Sequence, residues 1–240
     1  MFALLHGGGQ GSWVWDETAA VLRAAGATVI ALDVPGCGTK RDVEAIGYSV
    51  DDVVAELNAE VRVFGPAPVV LVGHSQAGTL LPELWRKAPD LYARLIYLSA
   101  CAPLAGQSVI DMMGHGRHGE HPDQIGWPLD PALHGKDEMR RLAFCNDMAP
   151  AQLEAFLPKL DFDNWPPGVT YAAHWDYSGL TTCPSTYIVC EQDGVLPRAW
   201  QFRFAERLAC QRIITIAAGH QAMNTQPEAL AALLLAETAG

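Results

Sequence analysis

A serine, a carboxylate and a histidine stand at three distant places in this sequence, and each follows a short hydrophobic run. They are Ser75, Asp193 and His220. A serine hydroxyl is a weak nucleophile until a histidine takes its proton, and the histidine needs a carboxylate to orient it. The chain order serine, acid, histidine therefore predicts a catalytic triad for acyl transfer.

The serine belongs to the sequence GHSQAG at 73–78, which follows the hydrophobic run VVLV at 69–72. This G-x-S-x-[AG]-G spacing indicates a sharp strand-to-helix turn, in which small residues flank a serine with a strained backbone. The amino terminus of the following helix would add partial positive charge beside it. We interpret Ser75 as the nucleophile; the alternative interpretation is an ordinary glycine-rich turn.

Two acids compete for the role of orienting carboxylate in the sequence EQDG at 191–194. Glu191 stands at the strand end itself and is interpreted as structural. Asp193 lies in the turn beyond the strand and fits the triad better. His220, at the end of AAGH at 217–220, is the predicted base.

A glycine-rich stretch, HGGGQGSW at 6–13, directly follows the first hydrophobic run. Acyl transfer needs two backbone N–H groups aimed at the substrate carbonyl oxygen. The residue after the nucleophile, Gln76, supplies one, and this loop supplies the other, best from Gly8. The alternative is a phosphate-binding loop, but neither G-x-x-x-x-G-K-[ST] nor G-x-G-x-x-G is present.

The elements that must hold these residues alternate between strands and helices. Near-continuous hydrophobic runs predict strands at 2–5, 28–32, 69–72, 95–99, 185–190 and 212–216. Helical patterns lie between them at 15–25, 50–63, 78–88, 197–209 and 227–238. Strands buried on both faces and separated by helices indicate an α/β fold, a mostly parallel six-stranded sheet between helical layers, in a single domain over 1–240.

The segment 104–180 interrupts this alternation with no predicted strand. Long insertions are uncommon unless functional, so we interpret it as a helical cap over the carboxyl end of the sheet; the alternative is a helical excursion without function. It is rich in side chains that could line an apolar pocket or form the cap's own core: Met112, Met113, Trp127, Phe144, Phe156, Trp165, Tyr171, Trp175 and Tyr177. Candidate substrate contacts are Gly9, Trp127, His174 and Trp175.

Composition excludes several classes of protein. Of 240 residues, 50% are hydrophobic and 18% charged, which excludes a disordered chain. A net charge of −11 argues against nucleic acid or an anionic membrane as partner. The six scattered cysteines predict reduced thiols rather than a disulfide framework. Neither a signal-peptide pattern nor a membrane-spanning run is present, so a cytoplasmic protein is expected; the sequence leaves a homodimer open.

Three histidines occur close together in GHGRHGEHPD at 114–123, namely His115, His118 and His121. Histidine is a zinc ligand, but structural zinc sites need a second, distant pair of ligands. We therefore interpret the cluster as a solvated loop and predict no metal site there.

Several of these motifs resemble the compact branch of the α/β-hydrolase superfamily that contains plant methylesterases, hydroxynitrile lyases and their bacterial esterase relatives. The resemblance rests on HGGGQGSWVW, ALDVPGCG, LVGHSQAG, CEQDGVLP and AAGHQAMNTQPEAL. It implies Ser75 as nucleophile, Asp193 as acid and His220 as base, with oxyanion amides from Gly8 and Gln76. It further implies that no metal or organic cofactor is needed. We therefore predict hydrolysis of carboxylic esters or lactones, and the apolar side chains of 104–180 favour small to medium substrates of hydrophobic or aromatic character.

Cyanogenic members of that branch carry a threonine after the opening histidine and a lysine after the catalytic histidine. Here these positions hold Gly7 and Gln221, which disfavours release of cyanide. A hydroxynitrile lyase or another carbon–carbon cleaving enzyme with the same triad remains one alternative. A receptor that binds a small ligand without turnover is the other.

Overall fold

The computed structural model describes residues 1–238, apart from the side chain of Asp161. Its centre is a sheet of six strands in the order β2-β1-β3-β4-β5-β6, with every neighbouring pair parallel. The strands are β1 Phe2–Leu5, β2 Val29–Leu32, β3 Val69–His74, β4 Tyr92–Leu98, β5 Ser185–Cys190 and β6 Arg212–Ile216. The prediction of a six-stranded parallel sheet is confirmed.

Helices connect these strands. They are α1 Asp16–Ala24, α2 Val50–Phe64, α3 Leu81–Lys87, α4 Val109–Met113, α5 Lys136–Phe144, α6 Pro150–Phe156, α7 Pro167–Thr170, α8 Arg198–Arg207, α9 Ala222–Thr225 and α10 Pro227–Ala236. Among the helices of residues 1–238, none is both long enough and apolar enough to cross a lipid bilayer.

Two buried clusters, one on each face of the sheet, form the core. Successive strand residues point to opposite faces, so Leu4 packs in the same cluster as Leu22 of α1, and Leu5 packs in the other with Leu57 of α2. Helix α10 joins the first cluster, whereas α3 and α8 join the second. The result is the predicted three-layer arrangement of helices, sheet and helices.

The turn after β3 differs from the predicted boundaries. The strand runs on to His74, and the helix after it begins at Leu81 rather than at 78. Residues Ser75–Thr79 form a tight 3-10 turn between the two. This turn packs closely against the next strand end: a Cβ on Gly78 would lie 2.3 Å from the carbonyl oxygen of Cys101.

The segment 104–180 lies between β4 and β5. Its described residues form the four short helices α4 to α7 and no strand; an isolated bridge pairs Arg117 with Trp127. The six cysteines are free thiols, five of them buried and Cys210 partly exposed.

Candidate active site

Ser75 occupies the first position after β3, where the chain turns sharply. Its φ angle is 53°, in the left-handed region that side chains other than glycine rarely adopt. Glycines let the surrounding backbone approach: a Cβ on Gly7 would lie 2.8 Å from the Cβ of Ser75, and one on Gly73 would lie 2.3 Å from Leu81 Cδ1. Strain of this kind is typical of a functional residue that must project from a turn.

His220 lies between the serine and a carboxylate. The Ser75 hydroxyl donates to His220 Nε2 at 3.1 Å, and His220 Nδ1 donates to Asp193 Oδ2 at 2.7 Å. The imidazole is completely buried, and the backbone carbonyl of His220 accepts a hydrogen bond from His74 Nε2 at 2.9 Å. Burial lowers the pKa of His74 well below its usual value, so this supporting ring is neutral.

The structure brings Asp193, and not Glu191, to the histidine. Oδ1 of Asp193 accepts the backbone amides of Val195 at 2.7 Å and Leu196 at 2.8 Å. Its Oδ2 accepts from both His220 and the hydroxyl of Ser99. The side chain of Glu191 is exposed to solvent.

Ser99 and His74 take part in this site although we did not single them out as site residues in the sequence. Both lie at the carboxyl end of a strand: His74 is the last residue of β3 and directly precedes Ser75, and Ser99 directly follows β4 with a φ angle of 39°. A polar residue at the carboxyl end of an apolar strand was the signal that could have identified them.

The two predicted oxyanion residues lie against each other beside the serine. A Cβ on Gly8 would lie 2.2 Å from Gln76 Oε1, so only glycine fits there without movement of the glutamine. Gln76 is the second residue of the 3-10 turn, where a backbone N–H has no partner within the helix. Both residues border the same cavity as Ser75.

That cavity has a volume of about 840 Å³. Predicted contacts Gly9 and Trp127 line it. The side chains of Met112, Met113, Phe144, Trp165 and Tyr171, which are aromatic or contain sulfur, line it as well. The cavity is also lined by four residues that are exposed to solvent, Arg41, Val43, Ile46 and Phe162. Most of the lining is apolar, which suits an apolar or aromatic group.

His174 and Trp175 do not line this cavity, contrary to our expectation. The side chain of His174 is exposed to solvent. Trp175 is buried, but its indole N–H donates to the carbonyl of Gln107 at 3.0 Å, away from the cavity. Phe156 and Tyr177 are likewise absent from the lining and pack within the protein.

The histidine cluster does not converge on one point. Each ring nitrogen of His118 lies within hydrogen-bond distance of a backbone carbonyl, that of Ile125 at 3.0 Å and that of Gly194 at 3.1 Å. His115 borders the cavity, and the side chains of both His115 and His121 are exposed to solvent. Within residues 1–238, no group of three or more His, Cys, Asp or Glu side chains could hold a metal ion.

The two positions at which cyanogenic members carry other residues, Gly7 and Gln221, are closely packed in this structure. Gln221 is completely buried and does not border the cavity. A Cβ on Gly7 would lie 3.0 Å from His74 Nδ1 as well as 2.8 Å from the Cβ of Ser75, so a threonine there would require the neighbours to shift.

Asp163, from the 104–180 segment, is buried against the loops that follow β1 and β2. Its carboxylate accepts from the indole N–H of Trp13 at 2.7 Å, the amide of Gly38 at 2.9 Å and Nε of Arg41 at 2.9 Å. The 104–180 segment is therefore held directly to the loops that border the cavity.

Several known proteins are similar to this chain in sequence. Over 108 residues the chain is 36% identical to the probable esterase PIR7A of Oryza sativa subsp. indica. That alignment covers 44% of this chain and 41% of the rice protein, so the chain spans about two fifths of that relative's length. Salicylic acid-binding protein 2 of Nicotiana tabacum is 24% identical over 98% of this chain and 95% of its own length.

The fold also matches solved structures. An extracellular alpha/beta-hydrolase from a Paenibacillus species superposes with a TM-score of 0.78 at 22% identity, over 98% of both chains. A family model described as "Alpha/beta hydrolase family" matches residues 2–233, which is nearly the whole chain. The chain therefore belongs to the alpha/beta hydrolase family.

Proposed function

We propose that this protein is a serine hydrolase that cleaves carboxylic esters or lactones and uses no metal or organic cofactor. The observation that carries the proposal is the unbroken hydrogen-bond series from Ser75 through His220 to Asp193. A base within 3.1 Å of the serine hydroxyl, with its second nitrogen held by a buried carboxylate, is the arrangement that activates a serine. The name of the rice relative, a probable esterase, supports the same reaction class.

The proposed reaction proceeds in two halves. Ser75 Oγ attacks the carbonyl carbon of the ester while His220 Nε2 takes the hydroxyl proton. The carbonyl oxygen becomes negatively charged and is stabilised by the amides of Gly8 and Gln76. The bond to the alcohol oxygen then breaks, His220 gives its proton to that oxygen, and the acyl group remains on Ser75.

Water completes the reaction. His220 removes a proton from a water molecule, which attacks the acyl carbon, and the bond from that carbon to Ser75 Oγ breaks. His220 returns the proton to the serine, so the enzyme is restored and a carboxylic acid leaves. Asp193 keeps the imidazole in the productive tautomer and stabilises its positive charge in both halves.

We further propose that 104–180 acts as a cap that shapes the substrate site. It contributes Met112, Trp127, Phe144 and Trp165 to the cavity lining, and these side chains favour apolar or aromatic groups. A volume of about 840 Å³ accommodates substrates of small to medium size. The cap therefore selects the substrate, whereas the sheet edge supplies the chemistry.

A panel of esters tests the proposal. Purified protein is assayed with p-nitrophenyl esters of increasing acyl length, aryl methyl esters and lactones, beside Ser75→Ala and the control Ser178→Ala. Ser178 is an exposed serine of the same chain whose hydroxyl bonds only Asp176. We expect Ser75→Ala to lose at least about 10⁴-fold in kcat and the control to match the wild type. Wild-type turnover that survives in Ser75→Ala contradicts the proposal.

A further inference from the structure

The orientation of the Gly8 amide is controlled by its neighbour across one peptide bond. The Gly7–Gly8 bond is trans, so the carbonyl of Gly7 and the N–H of Gly8 lie in one plane and point in opposite directions. A group that fixes the direction of the Gly7 carbonyl therefore also fixes the direction of the Gly8 N–H.

Nothing within the loop itself can hold that peptide. Residues 7–9 are all glycine, and Gly9 adopts a φ angle of 67°. Glycine has the widest range of backbone conformations, so a run of three has little intrinsic preference for the catalytic orientation. The restraint must come from side chains outside the run.

His6 supplies one restraint. The backbone N–H of Val34 donates to His6 Nε2 at 3.1 Å, so that nitrogen is an acceptor, and the carboxylate of Asp33 is 3.9 Å away, beyond hydrogen-bond distance. The ring proton is therefore on Nδ1, which donates to the Gly7 carbonyl at 2.8 Å. Burial lowers the pKa of His6, which keeps the ring in this neutral form.

Trp165 supplies the second restraint from a distant part of the chain. Its indole N–H donates to the same Gly7 carbonyl at 3.0 Å, and its ring meets the His6 ring edge-on at a centroid distance of 5.9 Å. The carbonyl oxygen has two lone pairs, and these two donors occupy both. Trp165 is 5% exposed and belongs to the 104–180 segment, so the proposed cap contacts the oxyanion loop directly.

We propose that Trp165 is a positioning residue for the oxyanion hole: its indole N–H, by holding the Gly7 carbonyl, directs the Gly8 amide at the developing oxyanion. The inference rests on the proposed hydrolase function. It assigns the 104–180 segment a part in the chemistry in addition to its part in substrate selection. Donation to the carbonyl also polarises the peptide and strengthens the Gly8 N–H as a donor.

Trp165 also borders the cavity, so its ring and its N–H need to be tested separately. Trp165→Phe keeps an aromatic ring and removes the donor. Trp175→Phe is the matched control, because Trp175 lies in the same segment, is 6% exposed and also donates to a backbone carbonyl at 3.0 Å. That carbonyl belongs to Gln107, and neither Gln107 nor Trp175 lines the cavity, so the control loses the same kind of hydrogen bond without changing the lining.

The expected result is a fall in kcat of about tenfold for Trp165→Phe, with KM within about twofold of the wild type. Loss of a whole oxyanion donor costs roughly 10²–10³ in kcat, and losing one of two restraints on that donor costs less. Trp175→Phe keeps the wild-type kcat. A tenfold fall in both variants, or in neither, overturns the proposal.

A thionoester, in which sulfur replaces the carbonyl oxygen, tests whether the loss of kcat in Trp165→Phe arises in the oxyanion hole. Its turnover is compared with that of the matching ester. Sulfur is a weaker hydrogen-bond acceptor and gains less from the Gly8 amide. The ratio of ester to thionoester turnover therefore falls in Trp165→Phe if the indole acts through the oxyanion hole. An unchanged ratio indicates a defect in substrate packing and contradicts the proposal.

A measurement without turnover separates this inference from the proposed function. In ¹⁵N-labelled protein, the order parameter of the Gly8 N–H is expected near 0.85 in the wild type and in Trp175→Phe, and below about 0.6 in Trp165→Phe. An equally rigid Gly8 in all three overturns the positioning role, whatever the protein hydrolyses. Absence of ester turnover in a wild type with the predicted order parameters contradicts the proposed function alone.

Discussion

Asp193 is the most extensively bonded side chain of the candidate site. Two backbone amides bind Oδ1, while His220 and Ser99 bind Oδ2, and water is excluded from the carboxylate. Hydrogen bonds to a charged acceptor are stronger than those between neutral groups, so these four contacts hold the carboxylate in one orientation. A fixed carboxylate in turn fixes the tautomer and the tilt of the imidazole.

Replacing either acid of the 191–194 turn separates the two candidates. Asp193→Asn preserves the size of the side chain but presents an amide that favours the wrong tautomer of His220, and we expect kcat to fall by about 10⁴. Glu191→Gln alters only an exposed side chain and should retain wild-type kcat. Steady-state kinetics with a p-nitrophenyl ester measure both, and a larger loss in Glu191→Gln than in Asp193→Asn is the contrary result.

The three residues of the proposed triad carry local signals, and the structure joins them by hydrogen bonds as the sequence led us to expect. Ser75 lies in a six-residue motif, and His220 and Asp193 lie in short turns after apolar strands. Trp165 carries no such signal, and the position of Ser99 after an apolar strand does not identify its partner. Trp165 reaches Gly7 across 158 positions of sequence and Ser99 reaches Asp193 across 94, and only the fold brings such pairs together.

At the scale of elements, Asp163 joins the 104–180 segment to the two loops after β1 and β2. Its carboxylate is buried, and its three donors are an indole, a backbone amide and a guanidinium. An amide in place of the carboxylate removes the charge and one of the two acceptor oxygens from a side chain that is buried, although the Arg41 guanidinium itself remains in contact with water. Such losses are expensive because the desolvation of each group is no longer offset.

We therefore expect Asp163→Asn to lower the free energy of unfolding by about 2–4 kcal/mol. The control is Asp176→Asn, an exposed aspartate of the same segment, which should change it by less than about 0.5 kcal/mol. Urea denaturation followed by tryptophan fluorescence measures both. Equal midpoints for the two variants would show that the buried contacts do not stabilise the fold.

Element boundaries were predictable where an apolar run ends abruptly. The limits of β1, β5 and β6 match the predicted 2–5, 185–190 and 212–216. The start of α3 was not predictable, because the sequence pattern of 78–88 is helical throughout. What delays the helix is the tight turn at Ser75–Thr79, packed on the end of β4, and this is a contact between elements.

For the molecule as a whole, two buried histidines predict how stability responds to acid. Burial lowers the pKa of His6 and of His74 in the folded protein below the ordinary value of 6.5. Above that pH the two histidines are neutral in both the folded and the unfolded protein, so the free energy of unfolding does not depend on their titration. Below it the unfolded chain takes up protons that the folded protein excludes, so the unfolded state is favoured.

The free energy of unfolding should therefore fall as the pH is lowered from 7 to 5. Each histidine contributes up to about 1.4 kcal/mol per pH unit below its unfolded pKa. His74→Gln removes one of the two histidines, so its free energy of unfolding should fall less steeply between pH 7 and pH 5 than that of the wild type. Urea denaturation at intervals of pH measures the slope, and a wild-type stability that rises towards pH 5 would contradict this reasoning.

The proposed function requires Ser75 to be an activated nucleophile, and covalent labelling can show whether it is. A fluorophosphonate reacts with a serine that a neighbouring base has activated, and intact-mass and peptide mass spectrometry locate the adduct. We predict one adduct per chain, on Ser75, absent in Ser75→Ala and formed much more slowly in His220→Ala. A wild-type protein that remains unlabelled at Ser75, or a His220→Ala variant that is labelled as fast as the wild type, would contradict the proposed function.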